Sequence, residues 1–168
     1  MLDTLILTTR ICVVMLAFFA AYEDVRFLRI RNAVALMAAV LFLPTAFTLA
    51  PHALVAHAVT GLVVLGVGFG LFAAGLFGGG DAKLLGAVAL WLPLSVLPSF
   101  LLVMAFTGGV VALAALALRR LPGLAKFPPL WAVKFGDKSW FAALSRGETV
   151  VPYGVAIAVA SAYAFLKL

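Results

Sequence analysis

The chain has 168 residues, 66% hydrophobic and 11% charged, with a mean hydropathy of +1.24. A water-soluble domain is about half apolar and a quarter charged, so this chain has too little polar surface to coat a soluble body. Its hydrophobicity excludes a disordered chain, and its one cysteine, Cys12, excludes an internal disulfide and a Cys-rich zinc site.

A spanning helix takes about 20 apolar residues, so six would use about 120 positions and leave little for anything else. The expectation is an all-α, polytopic membrane protein: one membrane-embedded domain over 1–168, built as a bundle of about six transmembrane helices. The first apolar run covers 4–22 and is read as a retained helix, because the N-terminus carries Asp3 and no basic region. A polar stretch at 23–32 follows, with Glu23, Asp24 and three arginines. The second span is expected over 33–50, ending at the Pro51-His52 turn. The third covers 53–76, and its glycines at 61, 66, 68, 70 and 75 suit close helix packing in lipid. Gly78-Gly79-Gly80-Asp81 breaks the chain and opens the fourth span, to about 97. The fifth runs over 99–118, stopped by Arg119-Arg120. A loop at 119–149 follows, rich in Lys, Arg and interfacial aromatics, and the last span covers 150–166.

Cytoplasmic loops collect Lys and Arg. With the 23–32 stretch inside, the 78–82 turn and the 119–149 loop also fall inside, which gathers ten of the twelve basic groups on one face and leaves both termini outside. The basic excess is explained this way without nucleic acid. The same count brings Asp24 and Asp81 to one membrane face.

Each aspartate alone has an ordinary explanation. Asp81 can cap a helix that follows a glycine loop, and Asp24 can be a solvated boundary residue beside Arg26 or Arg29. Glu23 is the weaker candidate of its pair. Together, two carboxylates on one face meet the needs of aspartyl hydrolysis: one deprotonates water while the other, protonated, polarises the scissile carbonyl. Asp81 faces a helix N-terminus and Asp24 a helix C-terminus, which favours Asp24 as holder of the shared proton.

Gly78-Gly79-Gly80-Asp81-Ala82-Lys83-Leu84 resembles the Gly-x-Gly-Asp motif of intramembrane aspartyl proteases, and type IV prepilin peptidases in particular. Asp24 with Ile30 and Asn32 is similar to that family's first motif, an Asp followed after five residues by Ile-Pro-Asn; Arg31 stands in the proline's place. Helix count, loop positions and the late Val151-Pro152-Tyr153-Gly154 also fit, and the short length resembles the branch serving tight-adherence (Flp-type) pili. The resemblance implies an aspartic endopeptidase in the bacterial inner membrane, cleaving the basic leader of a prepilin at the cytoplasmic boundary of its apolar helix. Asp24 and Asp81 would be catalytic, Gly78 and Gly80 would shape the loop that admits substrate backbone, and Lys83 and Asn32 would be supports. It implies no cofactor and no metal. Longer relatives carry paired cysteines and a methyltransferase activity; with Cys12 alone the resemblance does not extend to methylation.

Other features are expected to carry no chemistry. His52 and His57 are five apart with no carboxylate nearby, and a zinc pair wants a spacing of three or four with a third ligand. Asp137 and Glu148 sit in the basic loop and are read as solvated; Tyr153 is read as interfacial. No Gly-Lys-Ser/Thr follows the glycine-rich span, so nucleotide binding has no support. The alternative function is a non-catalytic membrane assembly component, or an ion- or proton-conducting helical protein. A conducting path places ionisable groups deep within spans, where this chain has only Arg10.

Overall fold

The structure, a computed structural model, describes residues 2–119, 136, 138–148 and 150–168. In chain order the helices are α1 (Leu2–Phe27), α2 (Asn32–Val40), α3 (Leu43–Ala46), α4 (Pro51–Ala73), α5 (Gly79–Ala89), α6 (Leu97–Arg119), α7 (Trp140–Ser145) and α8 (Tyr153–Phe165). No strand occurs among the described residues, so the all-α expectation holds.

Among the described residues, three helices are long and apolar enough to cross a membrane: Asp3–Phe27, Pro51–Ala73 and Leu97–Leu118. The sequence pattern anticipates six spans of similar length, and here the structure differs. The second apolar run is divided into α2 and α3, and α5 has 11 residues, about 16 Å of helix. Proline accounts for both stops. Its ring clashes with the carbonyl four residues back. Pro44 lies four residues after Val40, where α2 ends, and Pro93 lies four after Ala89, where α5 ends. Pro51 in turn opens α4, where a missing N–H costs nothing.

α1 packs against α8, α8 against α6, α4 against α5, and α5 against α2. The last helix is thus laid between the first and the sixth. Leu84, Val88, Leu92, Phe100 and Ile157 are fully buried at the centre, while Met15, Leu62, Leu102, Phe106 and Leu113 point outward. An apolar exterior of this kind suits lipid. Close approach of α4 and α5 relies on three glycines. A Cβ at Gly68 would stand 3.1 Å from Ala82 Cβ, one at Gly61 3.2 Å from Leu90 Cα, and one at Gly86 2.7 Å from Leu65 Cβ. Gly66 and Gly70 face open space, so only part of the glycine run serves packing.

α1 continues past its expected end at residue 22 and carries Glu23 and Asp24 on its last turns. It stops at Leu28, a non-glycine residue with φ of 49° whose N–H donates to the Asp24 carbonyl at 2.8 Å. Arg31 then starts α2 from an extended conformation, φ −71° and ψ 138°. Of the 119–149 loop, the described part is α7 and its flanks. α7 packs on α1 and α6, and Trp140 Nε1 donates to the Val150 carbonyl at 2.7 Å. Asp137 and most of the loop's basic and aromatic residues lie outside the described residues.

Candidate active site

The end of α1 and the start of α5 meet through glycine. A Cβ on Gly80 would sit 2.9 Å from the Ile30 carbonyl oxygen and 3.1 Å from Ile30 Cβ, so the α1–α2 connection rests on the first turn of α5. Lys83 Nζ donates to Asn32 Oδ1 at 2.9 Å and ties the starts of α2 and α5 together. These contacts bring Asp24 and Asp81 within electrostatic reach of one another. Asp24 is 5% exposed and Asp81 8% exposed.

Backbone N–H groups orient both carboxyls. Asp24 Oδ2 accepts from Gly154 N–H at 2.8 Å, in the first turn of α8. A Cβ at Gly154 would lie 3.0 Å from Asp24 Cβ and 3.1 Å from Oδ2, so glycine is what lets α8 come this close. Asp81 is the third residue of α5 and accepts from the backbone of Gly78, the residue that caps the helix. An acidic side chain reaching back from this position to the cap N–H is half of a capping box. A Cβ at Gly78 would collide with Asp81 Oδ2. Asp81 Oδ1 is buried and has no hydrogen-bond partner among the described residues.

Both carboxyls therefore face the N-terminus of a helix, where partial positive charge favours an anion. The asymmetry anticipated from sequence, with only Asp81 at such an end, is removed by α8. Nor is Asp24 a solvated partner of an arginine. The Arg26 guanidinium lies over the Tyr22 and Phe27 rings, 5.7 and 5.2 Å from their centres, and the ion pair of this stretch joins Arg31 to Glu23. Glu23 is as buried as Asp24, which its sequence context does not reveal.

Two buried carboxyls from different helices, each pinned by a backbone donor, one with an oxygen that has no hydrogen-bond partner among the described residues, lie within electrostatic reach of each other, the arrangement in which a pair can hold one proton between them. Such a pair can activate a water and polarise a carbonyl without further groups. A family model described as the type IV leader peptidase family matches residues 10–113, more than half of the chain. The chain belongs to the type IV leader peptidase family. No curated protein and no solved structure matches it. The stretch common to leader peptidases here holds Asp24, Asn32, Gly78, Gly80, Asp81 and Lys83, and it ends before Gly154. In this leader peptidase the donor to Asp24 thus comes from outside the matched stretch. A sequence signal for it exists in Pro152-Tyr153-Gly154, a proline start followed by a glycine, but nothing in the sequence says which carboxylate the turn faces.

Of the remaining candidates, Tyr153 lies beside this site. Tyr153 packs its ring on Phe77, centres 4.9 Å apart, beside the glycine loop. His57 Nδ1 is 3.0 Å from the Leu90 carbonyl oxygen at the other end of α5, and its ring lies against Phe42. Glu148 pairs with Arg146 at 2.7 Å on the surface.

Proposed function

We propose that this leader peptidase is an aspartic endopeptidase in which Asp24 and Asp81 form the catalytic pair. The observation that carries the reading is the burial of two mutually interacting carboxyls, each held by the backbone N–H of a glycine. One carboxylate removes a proton from water as its oxygen attacks the scissile carbonyl carbon. The other, protonated, hydrogen-bonds the carbonyl oxygen and stabilises the tetrahedral intermediate. Collapse breaks the C–N bond, and the leaving nitrogen takes up a proton from the pair. Gly78 makes room for the Asp81 carboxyl and Gly80 for the Ile30 backbone, and we assign this glycine loop the role of admitting the substrate backbone beside the pair. Lys83 and Asn32 hold the two helix starts in register.

The substrate is a prepilin-like protein, of the Flp type, with a short basic leader before an apolar helix. Cleavage takes place at the cytoplasmic face of the bacterial inner membrane, with both termini of the peptidase outside. The positive-inside count supports this orientation, since it puts both aspartates and most basic groups on one side.

The test is cleavage of a co-expressed candidate prepilin, read by N-terminal sequencing, with Asp24→Asn and Asp81→Asn as variants. General acid and base groups contribute about 10²–10⁴-fold each, so either change should remove detectable cleavage while the protein still inserts. Cleavage at the normal rate by either purified variant would end the proposal.

A further inference from the structure

On the outer side of α1, next to the carboxylates, lies a cavity of about 720 Å³ of different character. Arg29, Arg31, Lys138 and Glu23 line it together with Phe19 and Tyr22. Three cations face one acid, and that acid is already paired with Arg31. Arg29 and Lys138 have no ion-pair partner among the described residues, and both are exposed. Two cations without an ion-pair partner among the described residues, on a concave wall and one with the planar guanidinium fork that matches phosphate oxygens, make a receptor for an anion.

The surroundings say what kind of anion. The cavity opens at the last turns of α1, a helix long and apolar enough to cross a membrane. Below it, Ile11, Met15 and Phe18 are exposed along α1, half or more of Met15's surface among them. Phe19, Tyr22 and Phe27 stand exposed at its rim, an apolar aromatic wall that includes Tyr22, a residue type that settles at headgroup level. A soluble phosphate would use the cations and leave this apolar wall bare. A phospholipid uses both.

We propose that this cavity binds the headgroup of an anionic phospholipid, its phosphate between Arg29 and Lys138 and its acyl chains along α1. A consequence rests on the function proposed above. A basic leader is repelled by the lining's formal charge of +2, one residue from Asp24. A bound lipid anion lowers that charge, so cleavage depends on anionic lipid although folding does not.

Binding is tested on the full chain purified in neutral detergent, with retained lipid counted by native mass spectrometry. Phosphatidylglycerol should be held in preference to phosphatidylcholine. Each cation near an anionic headgroup is worth about fivefold, so Arg29→Gln/Lys138→Gln should weaken phosphatidylglycerol binding about 25-fold. Arg29→Lys should keep most of it, and Lys167→Gln, at the other end of the chain, should change nothing. Equal retention by the double variant and the wild type, or equal retention of the two lipids, would overturn the proposal. So would soluble glycerol 3-phosphate competing as well as phosphatidylglycerol, which would make the site one for free phosphate. A separate arm measures prepilin cleavage in phosphatidylcholine vesicles with and without phosphatidylglycerol in equal parts. Selective lipid binding with no cleavage in any vesicle would count against the peptidase reading alone; cleavage indifferent to phosphatidylglycerol would refute the consequence for the leader.

Discussion

Gly154→Ala is the sharpest test of how the carboxyl pair is held. The added methyl would stand 3.0 Å from Asp24 Cβ, 3.1 Å from Oδ2 and 3.3 Å from Ala21 Cα. Ordinary contact begins near 3.4 Å, so α8 and the Asp24 side chain must separate by a few tenths of an ångström. Overpacking of this mild kind costs about 1 kcal/mol. Alanine in place of a helical glycine returns up to about 0.8–1 kcal/mol, so the net change in stability is close to zero. The site fares differently, because the same shift stretches the 2.8 Å bond from Gly154 N–H to Asp24. A hydrogen bond to a charged group is worth about 1.5–3 kcal/mol, and losing most of that from the reactive geometry slows cleavage about 10–100-fold. Gly86→Ala is the counterpart. Its methyl would meet Leu65 Cβ at 2.7 Å, a harder clash, on the α4–α5 seam away from both carboxyls. It should lower the thermal midpoint more than Gly154→Ala does, yet leave kcat/KM of the folded enzyme within a few-fold of wild type. The measurements are kcat/KM on a purified prepilin and the thermal midpoint in the same detergent. Wild-type cleavage by Gly154→Ala would refute the role given to this contact, as would parallel losses of rate and stability in both variants.

Arg31→Pro should be accepted by the backbone, because Arg31 already has φ of −71°, within proline's range, and its N–H makes no backbone hydrogen bond among the described residues. It removes the partner of buried Glu23, however, so the thermal midpoint should fall, and Arg31→Pro/Glu23→Gln should recover it; a single variant as stable as wild type would show that the ion pair contributes nothing. Trp91→Phe removes the donor to the buried Ala38 carbonyl, one of the unpaired acceptors at the end of α2. An orphaned acceptor costs about 1–3 kcal/mol, which denaturant unfolding should show while cleavage by the folded enzyme stays near normal.

Both aspartates and the glycine loop are legible in the sequence because the second motif is local. Gly78 and Asp81 are three residues apart, and the physics that joins them is that of one helix start. The approximate positions of the apolar runs are legible for a similar reason, since lipid demands them residue by residue. Their lengths are less so. Hydropathy sees Leu, Val and Ala continuing through Leu41 and Leu90, whereas the helix obeys Pro44 and Pro93, whose steric effect reaches back four residues. The burial of Glu23 is hidden for another reason. Its partner Arg31 lies across a reversal at Leu28, a left-handed residue that nothing in its chemistry announces.

The two halves of the site nevertheless follow one rule. Each carboxylate accepts from the backbone of a glycine whose missing side chain makes room for it: a Cβ at Gly78 would collide with Asp81 Oδ2, and one at Gly154 would crowd Asp24. For Asp81 the glycine is Gly78, and the rule can be read as a motif. For Asp24 it is Gly154, 130 residues away, and the rule can be read only once α8 is laid on α1. Backbone donors suit such a site in lipid. They bring no ionisable group of their own, they stay fixed with their helix, and they leave Asp81 Oδ1 without a hydrogen-bond partner among the described residues. A side-chain donor such as lysine or arginine would hold one aspartate firmly ionised and oppose the proton sharing that the proposed mechanism needs. Among the described basic residues nearest the pair, Arg26 lies on aromatic rings, Arg31 on Glu23 and Lys83 on Asn32, none of them on Asp24 or Asp81.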